Sequence, residues 1–173
     1  KTFSIKFTEK STTRLGERDD EGNLTEESIK RVLETLRRFK EYCLSYGVEK
    51  ILAAATSAVR EAPNGRDLIR IVKESIGFEI ELISGSEEAR LIYLGVLSGM
   101  ALDNKSHLIL DIGGGSTEII LADSEDTRAL TSARIGAVRL KNDFFDESPL
   151  TNSRIEFIKT FIQGSLEPSI GKI

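Results

Sequence analysis

An α/β fold is predicted for this chain of 173 residues by two patterns. Short apolar runs of strand character alternate with longer segments of helical apolar spacing over residues 48–102, as expected for strands and helices packed in layers. Past residue 106, two apolar runs flank a glycine triplet, which reads as a β-hairpin. In chain order, residues 2–8 alternate, with Phe3, Ile5 and Phe7 on one face, and are expected to form a half-buried strand. Residues 9–24 are polar, carry Gly16 and Gly22, and are expected to form a mobile surface loop. Thr25 then caps a helix whose apolar stripe is Ile29, Val32, Leu33, Leu36, Phe39, Cys43 and Tyr46, with Gly47 as its stop. Residues 48–55 read as an apolar strand with a small-residue end. Pro63-Asn64-Gly65 marks a turn, and residues 67–76 read as a second helix closed by Gly77. Residues 78–83 alternate as another strand, and a third helix runs from about Gly85 to Leu102. The hairpin covers residues 107–122, and a third strand at 127–135 lies beside it. Shorter helices follow around 138–145 and from 153 onward. The polar Asp103-Asn104-Lys105-Ser106 is the best linker, giving an αβ part at 1–102 and a hairpin part at 103–173.

Composition narrows the class. A net charge of −4 argues against a general nucleic-acid binder, although 24 Lys and Arg leave room for a local basic cleft. Cys43 is the only cysteine, so an internal disulfide and a cysteine-based metal site are excluded within these residues. Its place on the helix stripe suggests a buried structural thiol. The single histidine, His107, opens a strand and is assigned no chemistry. No run reaches the roughly 18 apolar residues of a membrane span, and the first residues do not read as a signal peptide. A reducing cytoplasm is the compartment expected.

Three constellations fall at predicted strand ends, where α/β sheets hold ligands. The first is the hairpin tip, Asp111-Ile-Gly-Gly-Gly-Ser-Thr-Glu118. Glycines there can take positive φ and let backbone N–H groups converge on phosphate oxygens. Asp111 and Glu118 are hard oxygen ligands of the kind a phosphate-bound Mg²⁺ takes. A Gly-rich turn without a ligand is the plainer alternative. Neither a Walker loop nor a dinucleotide fingerprint fits, because no Gly-Lys-Ser/Thr follows and the glycines open a strand. The second constellation is Thr56-Ser-Ala-Val-Arg60, where Arg60 can either grip a phosphate bidentately or pair with Glu61 or Asp67. Arg134, Arg139 and Lys141 could flank the same cleft or solvate their own surface. The third is Ser84-Gly-Ser-Glu-Glu-Ala-Arg90. Ser84 and Glu87 fit a capping box, and Arg90 is the natural partner of Glu87. Glu88 shares a helix face with Leu91, Ile92 and Gly95. Two readings fit it: a partly dehydrated general base toward water, or an acidic residue complementing the helix N-terminus.

These motifs, in this order, resemble the exopolyphosphatase and guanosine pentaphosphate phosphohydrolase family, within the actin, hexokinase and heat-shock ATPase superfamily. The resemblance is carried by Ala55-Thr-Ser-Ala-Val-Arg-Glu-Ala-Pro-Asn-Gly65, Ile83-Ser-Gly-Ser-Glu-Glu-Ala-Arg-Leu-Ile-Tyr-Leu-Gly95, the hairpin tip and Gly136-Ala-Val-Arg-Leu140. It implies an actin-like, ribonuclease H-like fold of two lobes with the reaction between them. By resemblance, Glu88 matches the catalytic glutamate and Arg60 the phosphate-holding arginine. Gly113, Gly114, Gly115, Ser116 and Thr117 match the phosphate loop, and Asp111 and Glu118 match the acidic pair implicated in Mg²⁺ binding. The implied substrate is inorganic polyphosphate or guanosine pentaphosphate, hydrolysed at a phosphoanhydride, and a homodimer is compatible with the resemblance. Nucleic acid and membrane are not implied.

One departure stands out. The family opens with an apolar strand and an Asp-x-Gly-Ser-Asn-Ser loop, which residues 1–173 do not contain. The second lobe also stops early, so a fragment lacking both is expected. Two further readings follow: a polyphosphate- or nucleotide-binding sensor without catalysis, and an ATP-dependent kinase or chaperone ATPase. The Glu-Glu-Ala-Arg helix start argues against the latter.

Overall fold

The computed structural model describes residues 4–145 and 150–173. An α/β fold is observed, built around two small sheets. Helix α1 (Glu26–Ser45) begins at Thr25, whose Oγ1 accepts from the Ser28 N–H at 3.2 Å. Gly47 follows it with φ +64°, and Gly77 follows helix α3 (Gly65–Ser75) with φ +87°. Both glycines therefore take the left-handed turn that ends a helix. Strand β1 (Ala54–Ala55) pairs in parallel with β2 (Glu81–Leu82), in the register Ala54 to Glu81. The four-residue helix α2 (Ser57–Arg60) leaves the end of β1. Buried Leu24, Val32, Val59, Leu68, Val72 and Ile76 form the core beneath these elements.

The second sheet is the antiparallel set β3 (His107–Ile112), β4 (Thr117–Ala122) and β5 (Thr127–Ala133), in that order. Helix α4 (Gly85–Gly99) packs against β4 and β5, although it precedes the linker at 103–106. Ala89 and Tyr93 of α4 bury against Ile120 and Ala122, and the Tyr93 hydroxyl donates to the Asp123 carbonyl at 3.0 Å. Helices α5 (Ala137–Phe144) and α6 (Asn152–Ile170) complete the chain, with α6 lying on β5. None of the described helices is long and apolar enough to cross a membrane.

Four expectations are corrected. The strand expected at 2–8 does not form over residues 4–8, while Thr2 and Phe3 lie outside the described residues. Alternation makes a strand only where a neighbour supplies the ladder; here Phe7 instead packs on Tyr42 and Tyr46 of α1, at centroid distances of 5.3 and 5.7 Å. The strands expected at 48–55 and 78–83 shorten to two residues each, since only those face a partner. The loop at 9–24 is tied down rather than loose. Arg31 Nε donates to the Thr13 carbonyl, Arg18 bridges to Leu24, and the amide of Asn64 clamps both backbone groups of Leu24 at 2.8 and 3.0 Å. Cys43 is half-buried, because the aromatic cluster beside it leaves a groove rather than a sealed core.

Candidate active site

The hairpin tip is held by hydrogen bonds from the segment that follows β5. Gly113 N–H donates to the Ser116 carbonyl at 2.9 Å, closing the turn. The N–H groups of Ala137, Val138 and Arg139, in the first turn of α5, donate to the carbonyls of Gly113 and Gly114 at 2.9–3.1 Å. Arg139 Nε takes the Gly115 carbonyl at 3.1 Å. A trans peptide is planar, so a carbonyl pulled one way turns the next residue's N–H the other way. The N–H groups of Gly114, Gly115 and Ser116 are thereby directed away from α5, an arrangement suited to an anion.

Close packing, rather than positive φ, explains the glycines. None of Gly113, Gly114 and Gly115 has positive φ, which corrects the sequence-based reason for them. A Cβ on Gly115 would lie 2.6 Å from Ser57 Oγ, and one on Gly136 would lie 2.5 Å from the Gly114 carbonyl carbon and oxygen. Gly85, opening α4, meets Ser132 Cβ at 2.5 Å in the same way. The Gly115 and Gly136 contacts hold α2 and the start of α5 against the hairpin tip, and the Gly85 contact holds α4 against β5.

At the end of α2, Arg60 Nη1 donates to Glu88 Oε2 at 3.1 Å and to the Ile83 carbonyl at 2.9 Å. The pair is largely enclosed, with side-chain exposures of 23% and 16%. Neither Glu61 nor Asp67 holds Arg60; Glu61 pairs with Arg139. Glu87 keeps to the helix start, as its capping position predicts. Its N–H donates to Ser84 Oγ at 3.1 Å, and its carboxylate, drawn below its usual range by Arg90, takes the Arg90 fork at 2.7 and 2.8 Å.

Asp111 and Glu118 face each other across β3 and β4, with Asp111 exposed and Glu118 only 1% exposed. Ser132 Oγ donates to Glu118 Oε1 at 2.7 Å. Burial pushes the Glu118 carboxyl above its ordinary value, the charges of Glu88 and Asp111 push it further, and the Ser132 and Ser116 hydroxyls pull it back. Glu88 from α4 and the facing acids of β3 and β4 therefore share one electrostatic neighbourhood. Ser116 and Thr117 are buried, and the Thr117 hydroxyl donates to the Ile135 carbonyl at 2.6 Å. Among the described residues, no group of three or more His, Cys, Asp or Glu converges as a metal nest.

Beside the tip lies a cavity of about 390 Å³ whose walls include Gly114, Gly115, Ser57, Thr56, Arg18 and Arg139. Arg134 and Lys141 are exposed. Arg18 and Ser132 were missed in the sequence, where nothing distinguishes them from ordinary polar residues. Gly136 lay in a quoted motif, but its reason, the approach of Gly114, is visible only in three dimensions.

Comparison with known proteins gives the family and the fold. Exopolyphosphatase 1 of Mycobacterium tuberculosis is 32% identical over 163 residues, covering 93% of this chain and 47% of its own length. A guanosine-5'-triphosphate,3'-diphosphate pyrophosphatase of Photobacterium profundum is 32% identical over 152 residues, covering 88% of this chain and 30% of its own. The chain thus spans half or less of the curated relatives it matches. The crystal structure of an exopolyphosphatase from Cytophaga hutchinsonii superposes with a TM-score of 0.81 at 32% identity, over 85% of this chain and 47% of that one. The fold of most of this chain thus recurs in a solved exopolyphosphatase, and the model of the Ppx/GppA phosphatase family matches residues 1–173: this chain belongs to that family.

Proposed function

We propose that this chain carries the site of a phosphoanhydride hydrolase that releases the terminal phosphate of inorganic polyphosphate. The observation that carries the reading is the enclosed Glu88–Arg60 pair, coupled electrostatically to Glu118 beside a loop whose N–H groups are turned outward. Glu88 acts as general base, taking a proton from the water that attacks the terminal phosphorus. Arg60 exchanges its bond to Glu88 for the phosphoryl oxygens, which a guanidinium grips bidentately. The N–H groups of Gly114, Gly115 and Ser116 stabilise charge that develops on those oxygens. Thr117 holds the loop's end through Ile135.

Asp111 and Glu118 would hold Mg²⁺. A buried carboxyl opposed by two neighbouring carboxylates is relieved by a divalent cation, and Mg²⁺ needs only one or two protein carboxylates beside water and phosphate. When bound, the ion neutralises phosphate charge. The reaction lies between a first lobe at 1–102 and a second at 103–173. One half-buried cysteine fits a cytoplasmic setting. Guanosine pentaphosphate is the second substrate reading, favoured by the Photobacterium relative, whose name describes action on that kind of nucleotide.

The test is Mg²⁺-dependent release of orthophosphate from polyphosphate, by this chain and by a version as long as its relatives. Glu88→Ala is expected to lower release by at least about a hundredfold while polyanion binding persists. Loss of both together removes Glu88 as the base.

A further inference from the structure

We propose that Arg18 and Arg139 form a second anion site that takes the inner phosphoryl groups of a condensed phosphate chain. The proposal rests on the phosphohydrolase reading of the neighbouring site. Both residues line the cavity of about 390 Å³, within the size range of small-ligand sites. Glu88 and Arg60 do not line it, yet the two places adjoin. Ser57 and Arg60 share α2, and Gly115 belongs to the same loop as the outward-turned N–H groups.

Of the two guanidiniums, only Arg139 is held in an ion pair with a carboxylate among the described residues. Arg139 binds Glu61 through Nη2 and the Gly115 carbonyl through Nε. Among the described residues, Arg18 donates only to the carbonyls of Leu15 and Ala58. Burial lowers the Arg18 pKa, the charge of Arg139 lowers it further, and Glu61 and Asp19 raise it. Glu61 pairs with Arg139 through Oε2, its Oε1 is buried with no hydrogen-bond partner among the described residues, and it forms no ion pair with Arg18. Asp143 is the one carboxylate in the described cavity wall, and it is exposed. Two partly dehydrated guanidiniums on residues that line one cavity are a cost that a multivalent anion removes, and their forked donors match phosphate oxygens. Glycines 16, 114 and 115 in the wall admit close approach. The described lining has no aromatic ring on which a base could stack, so the occupant is a phosphate chain rather than a nucleoside.

The experiment measures binding of inorganic tripolyphosphate and of orthophosphate to this chain at fixed ionic strength. Arg18→Gln is expected to weaken tripolyphosphate roughly ten- to hundredfold, the loss of a charge-assisted pair of hydrogen bonds, and to leave orthophosphate within about threefold. Arg18→Lys restores part of the affinity, because it keeps the charge but not the fork. Unchanged tripolyphosphate affinity in Arg18→Gln, or an equal loss for both probes, overturns the site. Should Arg18→Gln not fold, Asp143→Asn decides. Removing that exposed carboxylate tightens tripolyphosphate about threefold if the site exists, and leaves it unchanged if it does not. Glu88-dependent phosphate release with tripolyphosphate affinity indifferent to Arg18 sinks this site and leaves the hydrolase standing. Arg18-dependent binding with no release does the reverse.

Discussion

Adding one methyl group at Gly115 tests the contact that joins α2 to the hairpin tip. In Gly115→Ala the new Cβ would lie 2.6 Å from Ser57 Oγ and 3.2 Å from Ser57 Cβ. Ordinary contact begins near 3.4 Å, so the overlap with Oγ is about 0.8 Å. Ser57 is 8% exposed and cannot swing freely into water, so the loop or α2 must shift. Overpacking of this kind costs about 1–3 kcal/mol. With a urea slope of about 2 kcal/mol/M, the unfolding midpoint should fall by about 0.5–1.5 M. Ser57→Ala removes Oγ and leaves the 3.2 Å approach to Cβ, so the double variant should recover more than half of the loss. The coupling read from the double-mutant cycle should be about 1 kcal/mol or more. Strict additivity of the two substitutions, with Gly115→Ala still destabilising, would refute the claim that Gly115 is there for Ser57.

Gly136→Ala should be worse than Gly115→Ala in the same denaturation assay. Its Cβ meets the Gly114 backbone at 2.5 Å, and backbone cannot rotate away, so a loss above about 3 kcal/mol is expected. Glu118→Gln tests the buried acid. Because folding raises the Glu118 pKa above 4.5, its favourable contribution is present in acid and is lost as pH rises through the folded value. The glutamine variant lacks this dependence and keeps an acceptor for Ser132. Its stability relative to wild type should therefore grow from about pH 4 to about pH 7, and a flat difference would show that Glu118 is not strained by ionisation.

The helices were legible because their signals are local. Thr25, Ser84, Gly47 and Gly77 mark ends by their own chemistry, and each does so in the structure. The hairpin was legible for the same reason, and the motifs singled out Arg60 and Glu88, which pair in the structure, and Asp111 and Glu118, which stand opposite each other across β3 and β4. What stayed hidden depends on partners distant in sequence. Residues 4–8 alternate correctly but have no ladder to join. Arg18 looked like a loop cation, yet it reaches the Ala58 carbonyl, 40 residues away. The glycines of the tip looked like turn formers, whereas Ser57 and Val138, on other elements, set their size. Arg139 carried only a general signal as a flanking cation. Its double attachment to Gly115 and Glu61 follows from how α5 lies against the tip.

The most direct test of the account follows the oxygen. Polyphosphate is hydrolysed in water labelled with heavy oxygen, by a version of the protein as long as its relatives, and each product is analysed by mass spectrometry. Attack by water on the terminal phosphorus, as proposed for Glu88, puts the label in the released orthophosphate. Label found in the shortened chain instead, or orthophosphate released without label, would contradict the account.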